Sequence, residues 1–287
     1  MRIPTDLRAR EMTSVQIDQD PPNDPESAYM ALENGRYQAT ELTRGPWNPE
    51  HQHAGPPSAL AAQAIAQVAA PLGLTHFARL TANLFRPIPI AELSVVVETA
   101  YSGRNAGHFC AQLFAAGKEV ARFTALVQRE AELRLPPVLP GHPLPEAPCP
   151  AEASRPAQFP FKNRTVGYPD LVEIRVAAGA YFAGPCAAWF RLRRPLVAGQ
   201  APTPIERVTV AADSGNGLSA VLDFERYLFL NNDLTINLFR RPEGEWICID
   251  ARTMLGSHGS GLAEARIFDA AGLIGRSTQS LLIRMRE

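Results

Sequence analysis

One segment of this chain occurs twice. Leu84-Phe85-Arg86-Pro87 returns as Leu238-Phe239-Arg240-Arg241-Pro242, and Ala115-Ala116-Gly117 with Val120-Ala121-Arg122-Phe123-Thr124 returns as Ala270-Ala271-Gly272 with Ile274-Gly275-Arg276-Ser277-Thr278. Both pairs lie about half of the 287 residues apart. That spacing marks a tandem duplication of a domain-sized unit, so the fold has to be two copies of one module. After the shared Thr the copies part: Ala125 stands in the first and Gln279 in the second. A polar residue present in only one copy of a shared scaffold implies that one half holds a site while the other keeps the packing.

The repeat phase orders the rest. Residues 1–25 are polar and proline-punctuated, and read as a flexible N-terminal tail. Residues 26–131 form the first module and 161–287 the second. Between them 132–160 is a Pro-rich linker, with seven prolines from Pro136 to Pro150, a density that excludes helix and central strand. In the first module Pro56-Pro57-Ser58 opens an alanine-rich helix to residue 70, which Pro71 and Gly73 end. Its residues are small or apolar all round, so it should be buried. Strands follow at 77–85, 93–101, 108–115 and 119–128, with a hairpin turn at Gly117-Lys118. The second module should repeat this with strands at 188–192, 234–239, 246–253, 261–268 and 273–284. Its helix should lie between Pro204 and Leu218. The β-branched Val208, Thr209 and Val210 argue for strand there, and the repeat phase argues for helix. A buried helix followed by antiparallel strands, twice over, is an α+β fold in which each sheet wraps around its own helix, the pattern of a double hotdog.

Composition removes several function classes. The net charge of −1 offers no footprint for nucleic acid or an anionic membrane. Cys110, Cys149, Cys186 and Cys248 are scattered, which favours free thiols over a disulfide frame or zinc site. No run of about 18 apolar residues and no secretory h-region occur, so a cytoplasmic protein is expected. His51 and His53 form an HxH pair without an acidic or Cys partner at ligand spacing, so no metal is expected. There is no Gly-x-Ser-x-Gly elbow and no phosphate loop.

Gly45-Pro46-Trp47-Asn48-Pro49 with Gln52-His53-Ala54-Gly55-Pro56-Pro57-Ser58-Ala59-Leu60 resembles the opening of the thioesterase-like superfamily related to bacterial acyl-CoA thioesterase II. The run 232–246, the run 261–269 and Arg276-Ser277-Thr278-Gln279-Ser280 are similar to the same family. The resemblance implies a double hotdog, an acyl-CoA substrate, and hydrolysis without a covalent enzyme intermediate. It implies no cofactor, since coenzyme A enters as part of the substrate. In that family an Asp, a Thr or Ser and a Gln handle the attacking water, and carried onto this chain the Asp is Asp213 and the Gln is Gln279. The hydroxyl position falls on Asn232, which can orient a water but cannot share a hydroxyl proton. Thr235 is a substitute only if a bulge intervenes, because an odd offset along a strand faces the other way. His53, Gly55 and Pro56 border the expected substrate pocket, where the helix N-terminus at 55–58 would offer backbone N–H donors.

The plainer alternatives are that Asp213 caps a turn before Ser214-Gly215 and that Gln279 is an outward strand residue. Two other functions compete: a non-catalytic acyl-CoA-binding protein, and an enoyl-CoA hydratase. The hydratase needs an Asp with a nearby His, and no His occurs between His142 and His258. Exposed edges of an antiparallel sheet would admit a homodimer.

Overall fold

The computed structural model describes residues 25–136, 144–157 and 165–286. The expected N-terminal tail falls outside the described residues but for its last position, and so does part of the linker. Helix α1 (Gly55–Ala69) starts where the two prolines put it and is buried along its first three turns. Leu60 and Ile65 are fully buried, each contributing about 1.5–3 kcal/mol of apolar transfer energy. The intervening alanines let the sheet approach closely. Gly73, at φ 72°, adopts the left-handed conformation that closes the following turn.

The first half supplies strands β1 (Tyr29–Ala31), β2 (Arg36–Ala39), β3 (His76–Leu84), β4 (Glu92–Ser102), β5 (Ala106–Ala115) and β6 (Lys118–Gln128). The second half supplies β7 (Arg155–Pro156), β8 (Val172–Ala178), β9 (Cys186–Leu192), β10 (Tyr227–Asn231), β11 (Asp233–Leu238), β12 (Ile247–Leu255), β13 (Ser260–Asp269) and β14 (Gly272–Met285). They form one sheet in the order β1-β2-β4-β5-β6-β3-β11-β14-β13-β12-β9-β8-β7, with β10 beside β14. The order β4-β5-β6-β3 is mirrored by β11-β14-β13-β12, and the halves join where β3 pairs antiparallel with β11, Thr81 facing Thr235. The duplication read from the sequence is therefore present as a pseudo-symmetric sheet, each half curving over its own helix. This is the double-hotdog α+β architecture expected.

The second helix is helical, as the repeat phase demands, but broken in two. The short α2 (Tyr168–Leu171) precedes β8, and α3 (Pro204–Ala212) opens on a capping box between Thr203 and Glu206. Burial of Val208 and Val210 against the sheet overrides their strand propensity. The chain then breaks at Asp213-Ser214 and resumes as α4 (Gly215–Leu218). Helix α3 packs against α1, so the two helices share one core.

Strands β1, β2, β7, β8 and β10 lie outside the expected set, although Val172, Ile174 and Val176 of β8 alternate inward in plain view. The turn joining β5 and β6 is Ala116-Gly117, both at positive φ, one residue ahead of the expected turn. The described part of the linker is not free of the fold: a short 3-10 turn (Ala151–Ala153) and β7 lie against β8, and the Trp189 indole donates to the Cys149 carbonyl at 2.7 Å. All four cysteines are free, and burial pushes the Cys186 thiol up to about 11. Among the described residues no helix is long and apolar enough to cross a membrane.

Candidate active site

Asp213 is the residue that follows α3, in the C-cap position at the break before α4. It is buried, and its carboxylate contacts three side chains. Oδ2 lies 2.9 Å from Nδ1 of His53. Oδ1 accepts from the Asn231 amide at 2.9 Å and, more loosely, from Gln279 Nε2 at 3.4 Å. His53 comes from the segment just before α1, so the site is assembled from both modules. The plain capping reading does not describe Asp213, because its carboxylate bonds to side chains from three distant segments rather than to the local backbone.

Gln279 faces inward and is buried, which excludes the outward-strand reading. Its carbonyl accepts the Asn216 N–H at 2.8 Å, and its amide donates to the Asp213 carbonyl at 3.1 Å. Both ends of the side chain are thus engaged in holding the α3–α4 break, and Gln279 is not part of the cavity wall. The counterpart in the first module, Ala125, is buried opposite Leu80. The divergence between the copies is therefore a polar brace for a broken helix.

The expected third position is displaced by one residue, and a β-bulge is the cause. Asn231 sits opposite Leu281, while Thr235 sits opposite Thr278: four steps on one strand against three on the other. The extra residue lies at Asn232-Asp233. Asn232 N–H donates to the Ser280 carbonyl at 3.0 Å, and Asp233 Oδ1 accepts the Ser280 N–H at 2.5 Å, so both oppose Ser280. The bulge turns Asn231 inward onto Asp213 and leaves Asn232 exposed at the rim of the same cavity. Thr235 points away from the core and meets Thr81 across the strand pair, their hydroxyls 3.2 Å apart. The bulge exists, but it serves Asn231 and not Thr235.

His53 is held by its surroundings. Its ring stacks on Tyr168 with centroids 3.8 Å apart and planes 4° from parallel. The Tyr168 hydroxyl donates to the Val210 carbonyl at 2.9 Å and lies 2.8 Å from Ser214 Oγ, and burial keeps its pKa well above the ordinary tyrosine value. Gly55 has to be small: a Cβ there would stand 3.0 Å from the Val210 carbonyl oxygen and 3.2 Å from His53 Nδ1. The expected row of N–H donors at 55–58 is not available. Pro56 and Pro57 have none, and Ser58 N–H bonds to the Ala54 carbonyl at 3.1 Å. Gly55 and Pro56 are buried behind His53 and do not line the cavity.

A cavity of about 320 Å³ opens over this group. Asp213, His53 and Asn231 form its polar floor, and Trp47, Phe224 and Phe229 its apolar wall, Trp47 stacking on Phe224 at 4.7 Å. A second cavity of about 300 Å³, walled by Tyr168, Tyr181 and Phe182, meets the first at His53 and Gly217. Among the described residues no serine, threonine or cysteine lines the first cavity, while Ser214 and Thr165 line the second. Arg86 lines it and is exposed. Its repeat counterpart Arg240 grips the buried Asp269 with both nitrogens at 2.5 Å. The first module has Phe114 at Asp269's place, which leaves Arg86 without that partner. Among the described residues no cluster of three or more His, Cys, Asp or Glu could hold a metal.

Asn231 and Tyr168 are site residues that sequence reasoning did not find. Asn231 neighbours the residue that was singled out, and only the bulge distinguishes the two. Nothing local marks Tyr168.

The C-terminal domain model of acyl-CoA thioesterases matches residues 146–283, and the N-terminal domain model matches 43–128. No curated protein sequence matches significantly. Among solved structures, a provisionally assigned thioesterase II from Thermobifida fusca aligns with a TM-score of 0.69 at 16% identity, over 90% of this chain and 96% of its own. A hotdog-fold protein of unknown function from Alicyclobacillus acidocaldarius gives 0.66 at 17%, over 92% and 98%. An acyl-CoA thioesterase II from Mycobacterium marinum gives 0.63 at 16%, over 90% and 95%. At such identities these structures establish a shared fold.

Proposed function

Since the chain belongs to the acyl-CoA thioesterase family, we propose that it hydrolyses acyl-CoA thioesters by direct attack of water in the cavity over Asp213. The observation that carries this reading is a buried carboxylate, fixed by side chains from both modules, in the floor of an otherwise apolar cavity. Such an environment strengthens electrostatic interactions with a polar transition state. Water oxygen adds to the thioester carbonyl, the C–S bond breaks, and the products are a carboxylic acid and the thiol of coenzyme A. Among the described residues the first cavity's wall offers no serine, threonine or cysteine, and Ser214 of the second is bonded to the Tyr168 hydroxyl, which favours water as nucleophile over an acyl-enzyme. Asp213 is the residue around which the site is built. Gln279 braces its backbone from behind, and Asn231, not the exposed Asn232, holds its side chain. Arg86 at the rim suits the anionic phosphates of the coenzyme. No further cofactor enters the scheme.

A specific observation favours a second reading. His53 stands 2.9 Å from Asp213, so the absence of a local His no longer weighs against hydration of an enoyl thioester. Thiol release measured across short, medium, long and aromatic acyl-CoAs separates the two. We expect thiol release that falls at least a hundredfold in Asp213→Ala, in the range for disabled proton transfer at the site. Loss of enoyl absorbance from crotonyl-CoA without thiol release would make the protein a hydratase, and binding without turnover would make it a carrier.

A further inference from the structure

We infer that Nε2 of His53, a residue of the first module, is the atom that takes the proton from the attacking water, and that Asp213 acts through it. The inference rests on the thioester-hydrolysis reading and assigns a catalytic role that reading leaves open.

The carboxylate of Asp213 is poorly placed to be the base. Its side chain is 3% exposed and both oxygens are occupied, Oδ2 by His53 and Oδ1 by Asn231 and Gln279. The imidazole is the opposite case. Its Nδ1 lies 2.9 Å from Asp213 Oδ2 and 3.2 Å from the Gly55 nitrogen, and one ring nitrogen cannot donate to the first and accept from the second. A bare lone pair at 2.9 Å from a buried carboxylate would be repelled, so Nδ1 carries a proton, and in the neutral ring the lone pair is then on Nε2. That nitrogen has no hydrogen-bond partner among the described residues, and the ring borders both cavities at their junction. The stack on Tyr168, itself pinned by Val210 and Ser214, stops the ring from rotating.

The step balances without any further reagent. As the water oxygen bonds to the carbonyl carbon, its proton passes to Nε2, and the resulting imidazolium is stabilised by Asp213 at Nδ1–H. When the C–S bond breaks, the Nε2 proton passes to the departing sulfur and neutral His53 is restored. This explains why the site needs both modules: the carboxylate belongs to one and the base to the other.

The titratable and charged groups facing the ring are Asp213 and Tyr168. Those on the surrounding cavity walls are His51, Arg44, Arg86 and Tyr181. His51 is the one whose titration could imitate that of His53, so it enters the test. His53→Asn keeps an amide donor in the place of Nδ1 and so preserves the contact with Asp213, while deleting Nε2. We expect kcat to fall by about 10²–10⁴, the range for a lost general base, with KM changing by less than about threefold. The acid limb of the kcat/KM profile should vanish in His53→Asn and survive in His51→Asn. Added imidazole should restore part of the rate to His53→Ala. The inference is overturned if His53→Asn keeps more than about a tenth of wild-type kcat. It is equally overturned if the rate falls but the acid limb persists and imidazole restores nothing, since that is the behaviour of a structural residue. A limb that disappears only in His51→Asn would move the role to His51. Wild-type protein that releases no thiol from any acyl-CoA refutes the hydrolysis reading itself, and this inference with it.

Discussion

Replacing Gln279 by Met tests whether this residue touches the substrate or braces the helix break. The swap conserves volume, which limits the packing cost to under about 1.5 kcal/mol. What it removes is polar: the Asn216 N–H loses its acceptor at 2.8 Å, and the Asp213 carbonyl loses its donor at 3.1 Å. Both groups are buried, and each buried group left unpaired costs about 1–3 kcal/mol, so the sum is about 2–6 kcal/mol. At about 2–4 °C per kcal/mol for a chain of this size, melting followed by circular dichroism should drop on the order of 10 °C. Catalysis should suffer far less. Asp213 keeps its two short contacts, to His53 and Asn231, and loses only the 3.4 Å one. A reduction in kcat of about tenfold or less is therefore expected, and thiol release measured well below the melting point reads it directly. The reverse pattern, a loss beyond a hundredfold with melting unchanged, would refute the argument by showing that Gln279 meets the reacting atoms.

Two further outcomes follow from single contacts. Arg86→Ala removes an exposed cation at the cavity rim; at the value of a surface charge contact, about 0.2–1 kcal/mol, KM for acyl-CoA should rise by a factor of about 1.5–5 at low ionic strength, and the difference should shrink in salt. An unchanged KM at low salt would place the coenzyme phosphates elsewhere. Glu206 is buried with Oε2 accepting from the Thr203 N–H at 2.5 Å and Oε1 without a partner, and burial raises its pKa above 4.5. The folded state therefore holds a proton that the unfolded chain releases. Its contribution is most favourable below pH 4.5 and is lost as pH rises through the raised value. Glu206→Gln keeps an acceptor for the cap and removes that loss, so its melting temperature should gain on wild type between pH 4 and pH 7. A constant gap across that range would refute the assignment.

What the chain's own sequence determined here is whatever depends on short-range pattern and on the duplication. Proline at the start and alanine throughout made α1 legible, and alternation located β3 to β6 and their counterparts. The repeat phase correctly overruled the β-branched Val208 and Val210, because a duplicated sheet needs a second helix to bury its concave face. The contrast of Ala125 with Gln279 pointed to the second module alone, whereas His53 of the first module meets Asp213, a residue that the family resemblance had supplied. Tertiary structure alone decided the chemistry of the site. One bulge at Asn232-Asp233 reverses which residues face inward, and parity counted along the chain cannot register an insertion made in the pairing of two strands. His53 and Asp213 stand 160 positions apart, and no periodicity links them. They meet because α1 and α3 pack against each other under the joined sheets, a contact written in the complementary surfaces of the two modules and in neither segment by itself.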